Sequence, residues 1–209
     1  MAIFGSSAPK KEQISVTSDS KSATLMTQCM QINGDIKGCG AIHIDGIVHG
    51  DVDVEESIVI GKSGKVFGNL RSKKIIISGE HKGKLECHTL EVTQSGVVSH
   101  EIKADEVISD GKIDAILNIK EKIHVTKNGT VVTEKLQSRY IMVNGHIEGN
   151  ISASELLEIN QDGHVKGEMT VKKIKVAEGG LMLGTMLTYH KDENIKATLT
   201  EKNGKVKAL

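Results

Sequence analysis

IMVNGHIEGNISA, residues 141–153, alternates without a break. Ile141, Val143, Gly145, Ile147, Gly149, Ile151 and Ala153 lie two apart, and the residues between them are mostly polar. Period two places alternate side chains on one face of an extended strand. The apolar set therefore lines one interior, and the two glycines share its parity. An inward side chain collides with its neighbours at a tight corner, and glycine also tolerates positive φ.

The same pattern recurs along the chain. Gly-x-apolar-x-Gly reads GDIKG at 34–38, GIVHG at 46–50, GKVFG at 64–68, GHIEG at 145–149 and GHVKG at 163–167. GEHKG at 79–83 places His81 at the apolar position, and GVVSH, GKIDA and GTVVT, starting at 96, 111 and 129, keep only the first glycine. After a first interval of 12 residues, the first glycines are 15 to 18 residues apart, alternately long and short. In the short form an apolar pair ends two residues before the glycine, as in Ile75, Ile77, Gly79; in the long form it ends four before, as in Ile58, Ile60, Gly64. Each repeat holds about three short strands and has no room for a crossover helix. The spacing predicts an all-β parallel solenoid of about nine rungs, each pairing with the rungs above and below.

Composition agrees. Aromatic residues are 2% of 209, and Pro9 is the single proline. Proline cannot donate to a sheet ladder, and large rings do not suit narrow identical layers. Basic and acidic residues number 27 each, which asks for no nucleic-acid partner. Cys29, Cys39 and Cys87 have no CxxC spacing, which disfavours a disulfide framework or zinc site. No apolar run approaches the roughly 20 residues of a membrane span, and MAIFGSSAPKK lacks a signal-peptide core, so a cytoplasmic location is expected. Residues 1–28 and 189–209 carry no strand period and are expected to be disordered tails around a solenoid domain at 29–188.

Nothing in the sequence makes an enzyme. No Ser/His/Asp or Cys/His arrangement has a motif context, Gly61-Lys62-Ser63 lacks the earlier glycine of a phosphate-binding loop, and no metal or cofactor site is expected. His81 reads as a buried histidine with a hydrogen-bond partner. The alternative enzyme reading is an acyltransferase on a left-handed β-helix. That fold needs steady six-residue steps, which the alternating spacing breaks.

The stretch INGDIKGCGAIHIDGIVHGDVDVEESIVIGKSGKVFGNLRSKKIIISGEHKG, residues 32–83, resembles the opening of the bactofilin solenoid domain, and GHIEGNISASELLEINQDGHVKGEM, residues 145–169, repeats the pattern. The resemblance covers about residues 30–187. It implies a right-handed, roughly triangular β-helix that forms non-polar filaments end to end without nucleotide. It implies a cytoskeletal scaffold for cell-shape or cell-wall machinery, including peptidoglycan-remodelling partners. It also implies attachment to the cytoplasmic face of the inner membrane through a short N-terminal peptide, here Ala2, Ile3 and Phe4. A monomeric solenoid needs polar caps. Leu181, Met182, Leu183, Met186 and Leu187 are the opposite of one, so they are the candidate polymer interface, with Leu25, Met26, Met30 and Ile32 at the other end.

Overall fold

A computed structural model describes residues 23–188. Every element in that span is a strand and every strand pairing is parallel. Of the expected tails at 1–28 and 189–209, all but residues 23–28 lie outside the described residues, and so does the peptide Ala2–Phe4.

Three ladders run the length of the molecule. On the first face the inward column is Thr24, Ile42, Ile58, Ile75, Leu90, Val107, Ile123, Ile141, Leu157 and Ile174. Ile32, Val48, Val66, His81, Val98, Ile113, Val131, Ile147, Val165 and Met182 stack on the second. On the third they are Ile36, Val52, Leu70, Leu85, Ile102, Leu117, Leu136, Ile151, Met169 and Met186. The chain is therefore a parallel β-solenoid of about ten turns. Between the terminal turns these columns are buried almost completely and form one continuous apolar core. Each added turn buries several Ile, Val or Leu side chains, at about 1.5–3 kcal/mol apiece.

One glycine accounts for the tenth turn beyond the expected nine, and another for the uneven first interval. Gly34 does not belong with Gly46 and Gly64: it stands at the corner between the second and third faces, in line with Gly50 and Gly68, and its amide bonds to the His49 carbonyl at 2.9 Å. The anomalous first interval of 12 residues arises from counting across two different corners. At the other end GLMLG, 180–184, is a further copy of the motif and makes the tenth turn. The first turn opens at Ala23, ahead of the expected boundary at 29, because Ala23–Met26 pairs residue by residue with Ala41–Ile44.

The corner between second and third faces needs glycine for a measurable reason. At Gly68 φ is +149°, and an added Cβ would lie 2.2 Å from the Gly50 carbonyl oxygen beneath it. Three turns have other residues there. His100 keeps the positive φ, at 101°. Ala115 is buried, and Thr133 is accommodated by a register shift before Leu136, where its Oγ1 accepts the Lys135 amide at 3.0 Å. The central turns thus keep the solenoid and lose strict repetition.

His81 is fully buried in the second-face column, and its Nε2 lies 3.1 Å from the Gly68 carbonyl oxygen. Its Nδ1 has no partner among the described residues. Burial pushes the imidazole from an ordinary 6.5 down to about 4. The folded state therefore holds fewer protons than the unfolded chain between those values. Stability is complete above pH 6.5 and declines as pH falls towards 4, by about 3 kcal/mol in all. His81→Val, matching Val66 and Val98 on either side, is expected to remove this share of the acid sensitivity. Urea melts of both proteins at pH 7 and pH 4.5 measure it; equal losses in the two proteins would contradict the assignment.

Candidate polymer interface

At the two ends the inward columns and the strand edges meet open space. Interior strands pair on both edges; the terminal strands Ile174–Val176 and Leu181–Thr188 pair on one edge only, with the turn beneath. Gln31–Asn33 and Ile36–Gly38 do the same at the other end. Such edges carry a row of unpaired amides and carbonyls, which template another strand.

The last turn is apolar in both directions. Met182 and Met186 continue the inward columns above Val165 and Met169; Met182 still packs on the core, while Met186 is 50% exposed. Leu181, Leu183 and Leu187 point outward, above His164, Lys166 and Thr170, and Leu183 and Leu187 are 52% and 55% exposed. Outward positions that are polar one turn below are thus leucine here. Ile174 and Val176 share the end surface, above Leu157 and Ile159. They escaped notice in the sequence although their parity with Leu157 and Ile159 marks them.

The first turn is more mixed. Ile32 and Ile36 end the inward columns and are partly buried. Leu25 and Met30 are exposed, and Leu25 projects sideways beside His43. Met26 is only 2% exposed and belongs to the core, supporting the end without presenting itself. Polar residues fill the spaces between: Gln28, Gln31, Asn33, Asp35 and Lys37. The two ends are therefore unlike, and the C-terminal one is the more apolar.

Along the sides the solenoid is laced by ion pairs between turns, among them Lys73–Glu56 at 2.9 Å, Lys166–Glu148 at 2.7 Å and Arg139–Glu121 at 2.8 Å. Exposed pairs of this kind contribute little each, about 0–1 kcal/mol. They place basic beside acidic groups, which fits the balanced charge. Burial pushes the Cys87 thiol up to about 12, so it stays protonated. Among the described residues no three His, Cys, Asp or Glu side chains converge as metal ligands, and no helix is long and apolar enough to cross a membrane.

Comparison with known proteins gives a consistent result. The family model described as "Bactofilin: Polymer-forming cytoskeletal" matches residues 24–110 and again 104–186. A curated relative, bactofilin BacO of Myxococcus xanthus (strain DK1622), is 28% identical over 108 residues, covering 51% of this chain and 84% of that protein. No solved structure matches.

Proposed function

The chain belongs to the bactofilin family of polymer-forming cytoskeletal proteins, and from that membership we propose that it self-assembles end to end, without nucleotide, into filaments that scaffold other proteins. The observation that carries this reading is the last turn, whose inward Met182 and Met186 and outward Leu181, Leu183 and Leu187 leave an apolar surface beside an unpaired strand edge. Stacking a second copy there continues three ladders and covers that surface. Ile174 and Val176 extend the interface, and Leu25, Met30, Ile32 and Ile36 form a second contact at the other end, so that like ends meet and the filament is non-polar.

The filament works as a scaffold and not as an enzyme. The acyltransferase alternative requires equal steps around the coil, whereas the corners of this solenoid come in two lengths, as at Ile58–Gly64 and Ile75–Gly79. Ala2, Ile3 and Phe4 hold the filament at the cytoplasmic face of the inner membrane, where it organises cell-shape or cell-wall machinery. Two large apolar side chains bind a membrane marginally alone, and polymerisation multiplies them.

Flotation with anionic vesicles tests both parts. The full chain is expected to pellet without nucleotide and to float with vesicles. Deleting residues 2–4 should leave pelleting intact and abolish flotation. A nucleotide requirement, or flotation that survives the deletion, would count against the corresponding half.

A further inference from the structure

Of the nine histidines, His146 and His164 are the two that a ladder sets side by side among the described residues. They occupy the same outward position on the second face, in the eighth and ninth turns, and are direct partners across the ladder. Neighbouring strands stand about 4.8 Å apart, so side chains at one register project as neighbours. Both residues are exposed, and their rings lie 6.3 Å apart between centroids with a tilt of 33°. The pair does not show as a motif, because a full turn of chain separates its members.

Local hydrogen bonding prepares these rings for a ligand. The Nδ1 of His164 lies 3.0 Å from the Asp162 carbonyl oxygen. A carbonyl oxygen only accepts, so Nδ1 carries the proton and Nε2 keeps its lone pair. Metal-ligating histidines are oriented in this way, by an N–H bonded to a backbone carbonyl on the side away from the ion. His146 has no hydrogen-bond partner among the described residues, and its ring can turn towards the same point. The charged neighbours are balanced. Glu148, two residues along the same strand, is paired with Lys166 at 2.7 Å, and Asp162 is paired with Lys127 at 3.2 Å. Lys166 chiefly, and His146 more weakly, draw the Glu148 carboxyl below its ordinary range, so that carboxylate is within electrostatic reach of the pair. Thr130 stands beneath His146 and Leu181 above His164, so no cationic side chain is in line with either ring.

We propose that His146 and His164 together bind one divalent transition-metal ion of the zinc, nickel or copper class, clipping the eighth turn to the ninth. Imidazole nitrogen suits those ions, whereas magnesium and calcium take oxygen ligands. With zinc–nitrogen distances of about 2.0–2.1 Å, two nitrogens on one tetrahedral ion stand roughly 3.3 Å apart. The exposed rings reach that separation by closing slightly from their present positions. Water completes the coordination. His43 and His88 each bring a single imidazole, already paired with Asp45 and Asp105 at 2.9 and 2.7 Å, and so offer no second nitrogen. Two protein ligands in place of the four of a structural zinc site give about half its binding free energy, which corresponds to a dissociation constant of roughly 10 µM. The clip lies one turn inside the apolar end, beneath the strand Leu181–Thr188 that pairs on one edge only.

Isothermal titration calorimetry of the full, untagged chain with zinc chloride tests the proposal. One ion per chain is expected, and magnesium chloride should give no binding heat. His146→Gln and His164→Gln should each weaken zinc binding at least tenfold, while His88→Gln should leave it unchanged. All three replace exposed side chains, and circular dichroism checks that the solenoid is intact. Hydrogen exchange reads the clip itself. With about 0.2 mM free zinc, exchange in His146–Ile159 and His164–Val171 should slow by up to roughly twentyfold, and that in Lys112–Val125 should not change. No zinc binding at that concentration, binding that survives both substitutions, or a ratio of one ion to two chains, as for an ion shared between copies, would overturn the assignment.

Discussion

Replacing Met186 by Arg is expected to lower the end-to-end association constant at least a hundredfold while leaving the solenoid folded. In the isolated chain Met186 is half exposed, above Met169, so a longer charged side chain reaches water. In a stack the same position lies between two apolar turns. An unpaired guanidinium there is desolvated without compensation, a loss of several kcal/mol, and ~3 kcal/mol corresponds to about a hundredfold. Leu183→Arg should act more weakly, about tenfold, because Leu183 points outward beside Lys166 and its replacement can swing away from the contact. Sedimentation against concentration measures both, with circular dichroism confirming the fold. A Met186→Arg protein that pellets like the unmodified chain would remove the C-terminal end from the interface.

Gly68→Ala should have the largest effect on stability. The new Cβ would meet the Gly50 carbonyl oxygen at 2.2 Å, with φ fixed at +149° by the corner. The clash involves backbone on both sides, so neither partner can turn away. Strain and overpacking of this kind cost about 1–3 kcal/mol each. A total of about 3 kcal/mol lowers Tm by roughly 10 °C in a domain of this size. Ala115→Gly, at the corresponding corner of the sixth turn, is the control and should shift Tm little, since that turn is already built around a Cβ. Equal Tm values for Gly68→Ala and the unmodified chain would mean the corner is softer than its geometry implies.

Much of the fold is legible in the sequence because a solenoid repeats one local rule. Inward parity at Ile42, Ile58 and Ile75 is visible without any long-range information, and stacking follows from the lack of room for anything else. His81 was legible for the same reason: its parity put it inside, and an isolated inward histidine needs a partner such as the Gly68 carbonyl. Register across corners was harder. Gly34 and Gly46 look alike as letters, and only the ladder Gln31–Asn33 on Ile47–His49 assigns them to different corners. The strand Ala23–Met26 was missed because its turn has Met30, not glycine, at the first corner.

The candidate interface was legible as an apolar segment and not as a surface. Sequence parity could separate inward Met182 and Met186 from outward Leu181, Leu183 and Leu187, but whether Met26 is covered depends on the space beneath Gly46, which its side chain fills.

Electron microscopy of the purified chain, without nucleotide or membrane, tests the central claim most directly. A ten-turn solenoid stacked on its ends predicts unbranched filaments with one subunit every ~48 Å along the axis, at ~4.8 Å per turn. Discrete monomers or closed trimers at the same concentration, or filaments that form only with nucleotide, would contradict it.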